Sequence, residues 1–171
     1  MAPRPIKRLL VALDAGRSSD RALSEAVSVA RALGAMIWLV HVGYEPAVMC
    51  AESALADALR GPGLLAKGKD VLSLAARSVP VALLGGQLLL EGDPADEILG
   101  AAEQVDADLI VLGTHGRGPV SRFLLGSTAH SVLLRASCPV LTVGDSRSRT
   151  GKAAKEGAAA TRKSSLSRLK D

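Results

Sequence analysis

The chain has 171 residues, 48% of them hydrophobic, enough to bury one core and short for two at the ~100–200 residues a domain usually takes. Aromatic residues make up only 2%, so the core falls to Val, Leu, Ile and Ala, as in parallel sheets covered by helices on both faces. The net charge of +4 is not spread evenly: residues 1 to 143 carry 13 Lys and Arg against 14 Asp and Glu, a net of −1, and residues 144 to 171 carry 8 against 3, a net of +5.

In chain order, an apolar run over 7–13 ends at Asp14 and is followed by a helical pattern through Ala22, Leu23, Ala26, Val27, Ala30 and Leu33. Ser18 or Ser19 is expected to cap that helix and Gly34 to close it. A continuous apolar strand is predicted from Met36 to Val42. Helical patterns follow from about Val48 to Arg60 and from Leu64 to Arg77, separated by a Gly-Pro-Gly break at 61–63. Val81 to Leu90 reads as a third strand, with Gly85 and Gly86 pointing to a bulge or a shortened strand. Asp93, Pro94, Asp96 and Glu97 spell a helix start, with an N-cap, a proline in first position and acids against the positive dipole end; this helix should run to about Val105. Leu109–Leu112 and Pro139–Val143 are the fourth and fifth strands, with a helix from about Ser127 to Ala136 between them. Strands alternating with helices imply right-handed crossovers and a doubly wound, mostly parallel sheet of five strands, whose ligands sit beyond the carboxyl ends of the strands.

Residues 145–171 hold almost no large apolar side chains besides Leu166 and Leu169. They are expected to form a basic, disordered tail to a domain spanning 1–144. A near-neutral body, and a tail whose charges are not interleaved with aromatics, argue against nucleic acid as a partner. The first apolar run is about six residues, short of a ~7–15-residue signal core, and no run approaches the ~18 of a membrane span. Cys50 and Cys138 are too few for a disulfide framework and lack C-x-x-C spacing. A cytoplasmic location without membrane contact is the expectation.

The segment that points to chemistry is 111–136, VLGTHGRGPVSRFLLGSTAHSVLLRA. Gly113 and Gly116 follow a strand, and Gly126, Ser127 and Thr128 open a helix. Phosphate oxygens need close approach of backbone N–H groups, which a Cβ obstructs, and a helix N-terminus offers free donors and the positive dipole end. Ser127 and Thr128 add hydroxyls, and Arg117 and Arg122 lie between, placed to neutralise phosphate charge. The P-loop lysine and the dinucleotide G-x-G-x-x-G are both absent. Asp14 ends the first strand, where a carboxylate can contact a ligand or a Mg²⁺ that keeps most of its water, or simply cap the next turn. His115 lies in the glycine loop, whereas His41 reads as a partly buried packing residue and His130, on a helix face, as structural.

This spacing, G-x-x-G-x(9)-G-[S/T] at Gly113, Gly116, Gly126 and Ser127, resembles that of ATP-binding members of the universal stress protein family. VALDAGRSSDRAL, LVHV, EGDPADEIL and CPVLTV follow the family's order, so the resemblance covers about residues 5 to 143. It implies an adenine-nucleotide α-hydrolase-like α/β fold with strand order 3-2-1-4-5. Carried over by position, Ala12 and Val42 would line the adenine pocket and Asp14 would contact the nucleotide. Gly113, Gly116, Gly126, Ser127 and Thr128 would hold ribose and phosphates; to these the loop reading adds Arg117, and Mg²⁺ chemistry adds a metal at Asp14 through the phosphates. Ala12 stands where some members have Pro, and Gly16 where many have Ser. The implied function is an ATP-binding stress or regulatory protein, a homodimer through PVLTV, with a partner protein the sequence does not name. No general base is placed for rapid hydrolysis, so at most slow ATP turnover is expected and no catalytic residue is assigned. The alternatives are a nucleotide-free homodimeric interaction module of the same fold and an adenylating enzyme.

Overall fold

The computed structural model describes residues 5–14, 16–43, 63–114 and 126–144. Its elements are β1 (Arg8–Leu13), α1 (Arg17–Leu33), β2 (Met36–Gly43), α2 (Gly63–Arg77), a 3-10 turn (Val81–Leu83), β3 (Leu84–Glu91), α3 (Pro94–Gln104), β4 (Leu109–Gly113), α4 (Ser127–Arg135) and β5 (Val140–Val143). The expected helix at Val48–Arg60, its Gly-Pro break and the tail lie outside the described residues. All strand pairs are parallel, in the order β3-β2-β1-β4-β5. This is the doubly wound α/β sheet implied above.

Strand alternation divides the interior in two, because successive side chains point to opposite faces. Leu9, Val11, Ile37, Leu39, Leu109 and Val111 pack under α1 and α2. Leu10, Val40, Ile110 and Leu112 pack with Ile98, Ala101 and Val132 of α3 and α4. The central strands are thus apolar on both faces, which is why they read as continuous runs.

Local signals account for two helix ends. Asp93 accepts the N–H groups of Ala95 at 2.9 Å and Asp96 at 3.1 Å, with Pro94 in first position. Gly34 closes α1 in the left-handed conformation at φ 64° and donates its N–H to the Ala30 carbonyl. The expected serine cap is corrected: the N-cap of α1 is Gly16, with no side-chain cap. Ser18 and Ser19 instead lie inside the first turn, 4% and 2% exposed, because that turn is pressed onto the ends of β1 and β4. The third strand is shorter than predicted, since Val81–Leu83 form the 3-10 turn. The pairing register shifts opposite Gly85, where a Cβ would meet the Trp38 ring at 2.7 Å. The glycine pair therefore bulges to admit the chain's one tryptophan.

Also at the amino end of the sheet, Asp108 is 7% exposed, and its Oδ2 accepts the N–H groups of Lys7 at 2.9 Å and Arg8 at 3.0 Å. It ties the start of β1 to β4. Bonds to a charged acceptor contribute about 1.5–3 kcal/mol each, so Asp108→Ala is expected to cost about 3 kcal/mol in urea unfolding. Asp106→Asn, which keeps a side chain tolerant of the left-handed backbone at φ 50° and removes a partly exposed ion pair with Arg8, serves as the control at under about 1 kcal/mol. Equal effects of the two substitutions would refute the clamp.

Candidate functional site

Crossovers leave β1 in one direction and reach β4 in the other, so the sheet's switch point lies between the carboxyl ends of these two strands, where a doubly wound sheet opens a crevice. A cavity of about 300 Å³ lies there. Its apolar wall is made of Ala12, Val40, Val42, Leu112 and Ile98, all on the α3–α4 side of the sheet, with Pro94 beside them. Asp14, Ser19, Gly113 and Thr114 form the strand-end rim, and Gly126, Ser127, Thr128 and Ala129 bring in the first turn of α4.

Seven of the residues named from the sequence, Ala12, Asp14, Val42, Gly113, Gly126, Ser127 and Thr128, therefore come together around one space. Gly116, Arg117, His115 and Arg122 lie outside the described residues. The sequence reading missed Val40, Pro94, Ile98, Leu112 and Thr114. Pro94 and Ile98 had a usable signal: a helix starting directly after β3 must begin at the same end of the sheet as the glycine segment.

The glycines do different work. Gly113 passes under α1, where a Cβ would stand 2.7 Å from Ser18 Oγ and 2.9 Å from the Ser18 backbone carbon. The Gly126 N–H is already committed, donating to the Thr114 carbonyl at 2.7 Å. That bond clamps together the two ends of the segment 115–125, and what Gly126 offers a ligand is the absence of a side chain. The free donors sit one residue further on: the first-turn N–H groups of α4 have no intrahelical acceptor, as at any helix start, and no side chain caps them.

Asp14 is held from two sides. Its backbone N–H donates to Ser19 Oγ at 3.0 Å, and its Oδ1 accepts the Gly16 N–H at 2.8 Å. The carboxylate thus caps the turn and lines the cavity together. Among the described residues no group of three or more His, Cys, Asp or Glu is placed to hold a metal ion. His41 sits on the other face, its Nδ1 2.7 Å from the Leu13 carbonyl oxygen, and His130 is exposed on α4. Cys138 is half-buried.

A parallel sheet with a cleft at its switch point, apolar on one wall and closed by a helix N-terminus on the other, defines a doubly wound α/β protein whose cleft lies where such sheets generally take their ligands. More narrowly, residues 5–144 match the model of the universal stress protein family, and the chain belongs to that family. It is 38% identical over 138 residues, 80% of this chain and 98% of the relative, to a universal stress protein encoded in the QAH/OAS sulfhydrylase 3' region of Thermus aquaticus. The fold is shared with the hypothetical protein MJ0577, at a TM-score of 0.73 and 23% identity over 85% of this chain and 100% of that one. It is shared also with a universal stress protein family protein from Arabidopsis thaliana solved with AMP bound, at 0.60 and 22% over 86% and 98%. Among the described residues no helix is long and apolar enough to cross a membrane.

Proposed function

We propose that the cleft binds an adenine nucleotide, ATP with Mg²⁺, and that the protein is a nucleotide-dependent stress or regulatory protein of the cytoplasm with at most slow ATP hydrolysis. The observation that carries this reading is the pairing, in one cavity, of an apolar wall with an uncapped helix start bearing two hydroxyls. A purine is planar and largely apolar on its faces, which suits the slot between Ala12, Val42 and Ile98. Phosphates suit the α4 N-terminus, where unpartnered N–H groups and the dipole favour an anion, and Ser127 and Thr128 add donors. The AMP bound by the Arabidopsis protein supports an adenine ligand. Gly116 and Arg117 are assigned to the phosphates by their place in the glycine spacing.

The residues fit a magnesium ion held mainly by phosphate and water. Asp14 stands on the rim with its Oδ1 engaged by Gly16, and Mg²⁺ needs few protein ligands because it gives up its water reluctantly. When bound, it would neutralise phosphate charge. We assign the homodimer to β5, an edge strand next to β4 whose outer backbone groups another copy can pair. We assign the domain to residues 1–144 and count the basic segment from 145 as a tail to it.

The reading is tested by calorimetric titration of ATP, AMP and GTP with Mg²⁺ into the wild type and into a Gly116→Val/Gly126→Val double variant. Micromolar ATP binding, about 8 kcal/mol, is expected for the wild type and its loss for a variant that keeps its circular dichroism. Wild type that binds no adenine nucleotide would leave the nucleotide-free interaction module as the function.

A further inference from the structure

α3 and α4 pack directly on each other over one face of the sheet, but α1 and α2, over the other, leave a groove of about 660 Å³ between them. Both helices start at the carboxyl end of the sheet, so the groove runs from Asp14 and Asp20 at that end to Arg31 at the other, roughly 16 Å at 1.5 Å per residue. Its floor is apolar, with Leu23 and Val27, and Leu74 on its wall is 68% exposed. A leucine that exposed, in a groove rather than on a convex surface, has apolar area to bury.

The chain itself supplies an occupant. The described residues end at Gly144, whose carbonyl accepts a 2.7 Å hydrogen bond from Arg21 Nη1. Arg21 neighbours Asp20 in the first turns of α1, so the remaining 27 residues (145–171) leave beside the start of α1, at the end of the sheet where Asp14 and Asp20 line the groove. They carry 8 basic against 3 acidic residues, and their two large apolar side chains, Leu166 and Leu169, are three apart, which places both on one face of a helical turn. From Gly144 to Leu166 is 22 residues, roughly 70 Å when extended at ~3.3 Å each, several times the length of the groove. By itself such a segment buries too little to fold. Tethered beside the start of α1, it meets the groove at the millimolar effective concentration typical of a flexible linker.

We propose that the C-terminal segment docks in cis along the α1–α2 groove, with Leu166 and Leu169 against Leu74, Leu23 and Val27 and its basic residues toward Asp14 and Asp20. The groove is then a surface that the protein's own tail covers and a competing partner must displace.

The test uses the full chain without nucleotide, so that its result is independent of the binding reading above. With Cys50 and Cys138 replaced by serine, the pair Leu74→Cys/Leu169→Cys is compared with Leu134→Cys/Leu169→Cys. Leu134, on α4, is 71% exposed and lies on the opposite face of the sheet. An intramolecular disulfide about ten-fold faster for the first pair is expected, with the preference abolished by adding Leu166→Ser. Equal rates would overturn the proposal, and so would a disulfide linking two chains, which would give the groove to another copy's tail. Amide exchange over α1 and α2 provides the check without cysteines: protection should fall in Leu166→Ser/Leu169→Ser, and unchanged protection counts against docking.

Discussion

Gly113→Ala is expected to destabilise the protein by about 3 kcal/mol, at the upper end of what overpacking usually costs, although only one methyl is added. The methyl would lie 2.7 Å from Ser18 Oγ, 2.8 Å from Ser18 Cβ and 2.9 Å from its backbone carbon. Ser18 is 4% exposed in the first turn of α1, and backbone on both sides prevents either partner from yielding cheaply. Urea unfolding followed by circular dichroism measures the loss; a value within about 0.5 kcal/mol of wild type, the scatter of ordinary surface changes, would show that α1 can withdraw from β4. Gly126→Ala provides the contrast. Its backbone, φ −57° and ψ 151°, is open to any residue, and its Cβ would sit 3.1 Å from the Thr114 carbonyl oxygen. A glycine spacing that reads as one phosphate motif thus contains a position that serves helix packing and another that faces the cavity. Loss of nucleotide binding on changing Gly113 would report the fold, while at Gly126 it would report the ligand.

Ala12→Leu should weaken adenine-nucleotide binding about a hundred-fold, or about 2.7 kcal/mol, while leaving the protein folded. Ala12 is flanked by Val40 and Leu112 on the neighbouring strands and lines the cavity with both. Three added carbons project into space that a planar base would fill, rather than into packed core. Calorimetry measures the affinity and the melting curve confirms the fold. Unaltered affinity would place the base away from the β1–β2 wall and leave that wall without a ligand role.

The elements were legible in the sequence because their determinants are near neighbours in the chain. Asp93 and Pro94 start α3 with bonds two and three residues away, and Gly34 ends α1 by reaching back four. The continuous apolar runs at Arg8–Leu13, Met36–Gly43 and Leu109–Gly113 each signal a strand covered on both faces. The serine cap failed for an instructive reason: Ser18 and Ser19 carry the residue types of a cap, but the register of α1 against β1 and β4 turns them inward, and Ser19 bonds Asp14 instead.

By itself, then, the sequence determined the alternation of strands and helices, the main helix ends and the glycine–serine spacing, all of which depend on short-range periodicity, capping and backbone freedom. Tertiary structure alone decided which residues share the cavity and what each does there. Val40, Ile98 and Leu112 reach it through strand pairing and helix packing across long stretches of chain. The Gly126 N–H is taken up by Thr114, Oδ1 of Asp14 by Gly16, and the missing Gly113 side chain makes way for α1. These assignments depend on distances between elements, which are set by the packing of side chains between them and leave no mark in the local pattern of either element.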